Sequence, residues 1–411
     1  MDIHQENDGQ LLSSDASEQQ AHDAEDFTQR KRSRILAACQ TRNLEALVDL
    51  ATTDGGLLQD ELRRVAWPIL LGYSPHSSDP SSNCVRSWQE LPQHSDESQV
   101  KLDVDRAFVH YPNCSDKELA TKKEELLALI TAVLRQNPML CYFQGYHDIA
   151  QVFLLVLGPA NAELAVERVS LFRIRDYMLP SLSPALKHLQ LLPAILDSAD
   201  RKLSRHISGT KPFFALATTL TLYAHDVQNL RDIARLYDFI LSHEPVVSVY
   251  LFAAIILSRK AELYDIEPYE TDMIHFTLTK LPQPLRLEPL ISDAMSLYRS
   301  FPPESLPYRA WQSISAHSVL KSSRDLAVNA TREDAERLFQ RQTRELRWEE
   351  RRQKVSILMR KHSHSIGSIG LAVLIAVISY LVMKGDTETS LVWRFWRVVR
   401  LSRDMLTSFL W

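Results

Sequence analysis

YFQGYHDIAQVFLLVLG, Tyr142 to Gly158, sets the polar, aromatic-flanked tripeptide Gln144-Gly145-Tyr146 directly against an apolar run. Taken alone, the stretch reads as a turn entering a buried helix. Asp148 would then lie near the helix's positive end, where a carboxylate is favoured. A second reading is that the amide of Gln144 acts on something bound at that mouth. The rest of the chain has to decide between them.

The surroundings of that stretch predict helix almost throughout. Only 10 glycines occur in 411 residues, well below the average usage of about 7%. Asn-Gly hairpin signals are absent, and Asp54-Gly55-Gly56 does not sit between alternating strands. Long 3.6-period segments dominate instead, so the fold class is all-α. With 45% hydrophobic residues the chain can build one large or two ordinary cores. A net charge of -4 with 24% charged residues argues against a nucleic-acid binder. Cys39, Cys84, Cys114 and Cys141 form no CxxC pair and have no spaced His partners. That excludes a zinc or disulfide framework and suits a reducing compartment. The N-terminus carries no secretory signal pattern.

Composition divides the chain into five parts. Residues 1–29 are acidic and predicted disordered, with no Lys or Arg before Arg30. Residues 30–330 form the helical domain. Its basic cluster Arg30-Lys31-Arg32, with Arg34, reads as a solvated helix end. Leu57 to Gly72 reads as a helix stopped by Gly72, and Ser74 to Ser98 as an exposed loop. Ser115-Asp-Lys-Glu118 is a capping box opening a helix that Asn137-Pro138 ends. Residues 331–365 are a mixed-charge helix read as a solvated stalk. Ile366 to Met383 is free of charge over 18 residues, or about 27 Å at the helical rise, enough for a thin bilayer. It is expected to be a transmembrane anchor. The basic residues before it place the bulk of the chain in the cytosol. Residues 384–411 mix Trp393, Trp396 and Trp411 with four arginines, as suits a membrane interface.

Nucleotide-binding and hydrolytic signatures are missing: no GxxxxGK[ST], no GxGxxG after a strand, no GxSxG, no HExxH. The chain is therefore not expected to be a nucleotide hydrolase by itself. Three short stretches remain. In Arg63-Arg-Val-Ala-Trp67, Arg63 lies one helical turn before Trp67 on the same face, a structural pairing. In Leu102-Asp-Val-Asp-Arg106-Ala-Phe-Val-His-Tyr-Pro112, Asp103 and Arg106 are three apart and can pair. The third is Tyr142-Phe-Gln-Gly145.

RxxxW, then DxxR, then YxQG, in that order on a helical chain, resembles the TBC domain of Rab GTPase-activating proteins. The likeness continues in Leu220-Thr-Leu-Tyr-Ala-His225-Asp226 and in Arg231 to Asp238, and covers Leu57 to about Ser300. The His147-Asp148 pair after the glutamine and the C-terminal apolar segment resemble the subfamily anchored in the endoplasmic reticulum. The resemblance implies that Arg106 is an arginine finger and Gln144 a glutamine finger, lent to a GTP-bound Rab. Asp103 would orient Arg106, while Tyr142 would keep the loop rigid. Gly145 would let the backbone approach the partner. The substrate expected is a Rab-one-like GTPase of the early secretory pathway, at the endoplasmic reticulum or early Golgi membrane, on the route between the two. GTP and Mg²⁺ would belong to the partner, with no cofactor of the chain's own. His147 stands where many family members have Asn, which bears on pH response or fit to the GTPase. The competing expectation is a membrane-anchored tether that binds a small GTPase without catalysis.

Overall fold

The computed structural model describes residues 25–73, 87–112 and 114–361. Among the described residues every regular element is an α or 3₁₀ helix, as the glycine scarcity and the helical periodicity predict. The acidic segment up to residue 24, most of the Ser- and Pro-rich loop, the expected span 366–383 and the tail 384–411 lie outside the described residues. Among the described residues no helix is long and apolar enough to cross a membrane. The chain divides into two compact units, Met1–Glu345 and Leu346–Trp411.

The first helix, α1, covers residues 25–40, so helix begins inside the stretch expected to be disordered. It is followed by α2 (Leu44–Thr52) and α3 (Asp60–Leu70), then α4 (Glu97–Val104) and α5 (Asp116–Gln136). Next come α6 (Tyr146–Leu157) and α7 (Pro159–Phe172). Three short helices follow, α8 (Ser183–Leu189), α9 (Leu191–Ala199) and α10 (Arg201–His206). The second half holds α11 (Leu216–Leu220), α12 (Leu230–Ser242), α13 (Val247–Ser258), α14 (Lys260–Tyr264), α15 (Thr271–Leu278) and α16 (Leu287–Ser300). Last are α17 (Ala310–Ser313), α18 (Arg324–Asn329) and the long α19 (Arg332–Lys361).

Helix α6 is the centre of the site-bearing half. It packs on α3, α4, α5, α7 and α12. Ile149, Val152, Phe153 and Val156 have no exposed surface. Each such aliphatic or aromatic side chain contributes about 1.5–3 kcal/mol relative to exposure. Its neighbour α5 starts on the expected capping box: Ser115 Oγ accepts the Glu118 N–H, and the Glu118 carboxylate accepts the Ser115 N–H. A second core forms where α13, apolar on every side, packs between α9 and α16.

Buried polar groups fix how these helices meet. Asp238 on α12 is fully buried and accepts four donors. Arg63 gives it two, from Nε at 3.0 Å and Nη2 at 2.9 Å. Trp67 Nε1 (2.8 Å) and the Leu57 N–H (2.9 Å) supply the others. The RxxxW pair is thus structural, but its purpose is to seat a carboxylate from a helix some 170 residues away. Lys31 departs from the solvated patch expected of residues 30–34. It is buried and donates to Thr53 O, Thr53 Oγ1 and Asp54 O at 3.2, 2.9 and 2.6 Å, closing the C-terminal end of α2. Burial and the nearby Arg235 charge push its pKa down to about 8.

The stalk expectation needs the same kind of correction. Ala335, Phe339 and Gln342 of α19 are buried, at the spacing of one helix face. Gln342 accepts from Arg175 Nε at 3.0 Å and donates to Asp176 Oδ1 at 2.8 Å. The first compact unit therefore runs past 330, to Glu345. Beyond it, residues 351–357 are exposed helix, as a charged stalk should be.

Candidate functional site

The site is built where the end of α4 meets the entry to α6. Helix α4 stops at Val104, and Asp105 and Arg106 turn away from it. Asp103 is 1% exposed, and its carboxylate gathers three donors: Arg106 Nη2 at 2.8 Å, Gln99 Nε2 at 3.1 Å and the Tyr142 hydroxyl at 2.9 Å. Arg106 also gives Nε to Leu102 O at 3.3 Å. Its side chain nevertheless stays 68% exposed, so it is steered at one edge and open at the other.

Tyr142 ties the second motif to the first at two points. Its N–H donates to Asp96 Oδ2 at 2.9 Å, just before α4. Its hydroxyl donates to Asp103 at the end of the same helix. Burial first, then the Asp103 charge, pushes the phenol pKa far above its ordinary value, so the hydroxyl remains a donor. Tyr146 lies edge-on to the Tyr142 and Phe143 rings, at 5.9 and 5.8 Å. Its own hydroxyl is bonded to Ser170 Oγ at 2.7 Å.

Between these anchored rings stands Gln144, exposed and without a hydrogen-bond partner among the described residues. Gly145 follows at φ 101°, a left-handed conformation that glycine adopts without strain. A Cβ there would lie 2.5 Å from Thr221 Cγ2. The need for glycine thus has a cause inside the molecule.

Asp148, in the first turn of α6, bridges two histidines. His147 Nε2 lies at 3.3 Å and His225 Nδ1 at 3.0 Å. The two rings are pushed in opposite directions. The hydrogen bond to Asp148 raises the His225 pKa, and burial lowers that of His147. Past Arg106 the backbone enters another left-handed turn at Phe108, φ 64°. The Phe108 N–H donates to Gln151 Oε1 on α6 at 3.0 Å.

Arg106 and Gln144 open onto one cavity of about 300 Å³, whose walls include Asp103, His147, Asp148 and His225. The structure thus brings together Asp103, Arg106, Tyr142, Gln144, Gly145 and Asp148, while Arg63 and Trp67 belong to the core beside them. Among the described residues no group of three or more His, Cys, Asp or Glu side chains is placed to hold a metal. Sequence reading missed Gln151, Asp96 and Thr221. Only Gln151 left a signal, as a lone amide inside an apolar run.

One exposed arginine, Arg106, and one exposed glutamine, Gln144, thus share a cavity on a helical scaffold. The Rab-GTPase-TBC domain family model matches residues 60–264. TBC1 domain family member 20 of Bos taurus is 32% identical over 375 residues, covering 88% of this chain and 92% of that protein. The chain belongs to the RabGAP-TBC family. The GTPase-activating protein gyp10 of Schizosaccharomyces pombe is 30% identical over 322 residues, covering 77% of this chain and 85% of that protein. The fold is also similar to the crystal structure of the Ypt/Rab-GAP domain of Gyp1p, with TM-score 0.51 and 17% identity over 62% of this chain and 94% of that one.

Proposed function

We propose that this chain is a Rab GTPase-activating protein that lends Arg106 and Gln144 to the GTPase. GTP hydrolysis is slow where charge on the transferring phosphoryl group is unneutralised and the attacking water poorly oriented. An arginine supplied by a partner is worth about 10³ to 10⁵ in rate. Arg106 has the exposure to reach a bound γ-phosphate, and the bond to Asp103 reduces the freedom lost in doing so. Gln144, exposed beside it, can accept from and donate to a water and so set its approach. GTP and Mg²⁺ are the partner's. The observation that carries the reading is the opening of both side chains onto one cavity while Asp103 and Tyr142 beside them are held by hydrogen bonds.

The finer reading is a Rab-one-like substrate of the early secretory pathway, with the catalytic unit facing the cytosol from the endoplasmic reticulum or early Golgi membrane. It rests on subfamily resemblance and on the uncharged segment 366–383. The test is single-turnover GTP hydrolysis across a panel of purified Rabs, with the full chain, a form ending at Lys361, Arg106→Ala and Gln144→Ala. Acceleration of one or a few Rabs by orders of magnitude, lost in either variant and kept by the shortened form, is the expected result. Binding with no acceleration would replace catalysis by tethering.

A further inference from the structure

We propose that Gln151 is a positioning residue for the arginine finger, acting through the turn at Phe108; this rests on the reading of Arg106 as that finger. Gln151 is 5% exposed, the only amide among the buried residues of α6. An amide in such a place is costly unless it is used. Its Oε1 accepts the N–H of Phe108, two residues beyond Arg106, in a bond buried at both ends. Phe108 is held at φ 64°, a conformation that a bulky side chain rarely takes and that persists only where surrounding contacts enforce it. The turn it makes is what takes the chain away from Arg106 and leaves Val109 76% exposed at the lip of the cavity.

The arrangement has a symmetry of purpose. Arg106 lies between two tethers, Asp103 three residues before it and Phe108 two residues after it. Asp103 is bonded to Tyr142 and Phe108 to Gln151. Those two partners flank Gln144 on the other segment, one in the lead-in to α6 and one on its second turn. The entry to α6 and its second turn therefore set the spacing of both fingers, and Gln151 is the link on the far side of the arginine. Loss of the link should leave docking to the GTPase intact and misplace the guanidinium. The effect belongs in kcat, since positioning errors of about 1 Å can cost about 10²-fold.

The full chain would be tested as wild type, Gln151→Met and Gln151→Glu. Met keeps the length and removes the acceptor, whereas Glu keeps an acceptor oxygen. Two readouts are needed. Amide hydrogen exchange over residues 104–112 should rise in Gln151→Met and stay near wild type in Gln151→Glu, with exchange elsewhere unchanged. Single-turnover hydrolysis by a responsive Rab should fall by about tenfold or more in Gln151→Met with KM within about threefold, and Glu should restore most of it. Unchanged exchange in Gln151→Met overturns the tether whether or not any Rab responds. Raised exchange with full kcat, or a loss confined to KM, overturns the positioning role. A wild-type chain that accelerates no Rab would instead sink the reading of the function, while the exchange measurement still decides the tether.

Discussion

Replacing Tyr142 by Phe removes a single oxygen from the link between the two motifs. The hydroxyl donates to the carboxylate of Asp103, which is 1% exposed and keeps two other donors, Arg106 Nη2 and Gln99 Nε2. A hydrogen bond to a charged group is worth about 1.5–3 kcal/mol, so the variant should unfold in urea with about that loss of stability. If the whole of it were expressed in the placement of Arg106, the rate would fall by roughly 10- to 150-fold, at about 1.4 kcal/mol per factor of ten. Asp103 and its remaining bonds should retain part of the alignment, which puts the expected loss near tenfold. That is well short of the roughly 10³ to 10⁵ carried by an arginine finger itself. The assay is single-turnover hydrolysis at saturating activator, with Tyr142→Phe made in the wild type and in Arg106→Ala. A residue acting through the arginine should cost little in the second background. The reasoning fails if Tyr142→Phe keeps the full rate, or if it costs the same factor with and without Arg106. The phenol stays protonated at working pH and also lies 3.3 Å from His147 Nδ1.

Asp238→Ala should be among the most destabilising single changes in the chain. It leaves the buried Arg63 cation with Asp60 as its remaining carboxylate and strands the donors of Trp67 and Leu57, a loss of about 3–5 kcal/mol seen as a drop in urea midpoint or in soluble yield. Gly145→Ala should cost about 1–3 kcal/mol for its backbone conformation alone, and more for the clash with Thr221. Adding Thr221→Ser removes the clashing methyl, so a melting curve should show partial recovery. The two histidines on Asp148 make opposite contributions to the pH dependence. His225 has a raised pKa, so its stabilisation is fully present below the ordinary histidine value of about 6.5 and is lost as pH rises through the folded value. The stability difference between wild type and His225→Gln should therefore shrink as pH rises above about 6.5. His147 is lowered by burial, so its protonation opposes folding as pH falls below about 6.5. His147→Asn should flatten that acid limb.

The local signals of helix were present along the chain and needed no tertiary information. Ser115 and Glu118 closed the expected box, Asn137 ended the expected helix, and Thr331 opened the expected one. Lys31 and Gln342 show the limit of such reading. Each lies in a segment whose composition is that of a solvated surface, and each is buried because carbonyls or charged side chains from remote segments need its polar end. Charge density describes a segment's average, and burial is decided one side chain at a time.

What the sequence determined by itself was the helical class and the order of the three motifs, which follow from periodicity and from residues that lie near one another in the chain. The two finger candidates were named only by resemblance to the TBC family. The tertiary structure alone decided that Asp103 and Tyr142 share a bond and that Asp238 completes the Arg63–Trp67 pair. It also decided that Gln151 holds the turn beside Arg106. Each of these contacts joins residues 39 or more positions apart. No local spacing rule reaches that far, and only the packing of α6 against α3, α4 and α12 brings the partners within hydrogen-bonding distance.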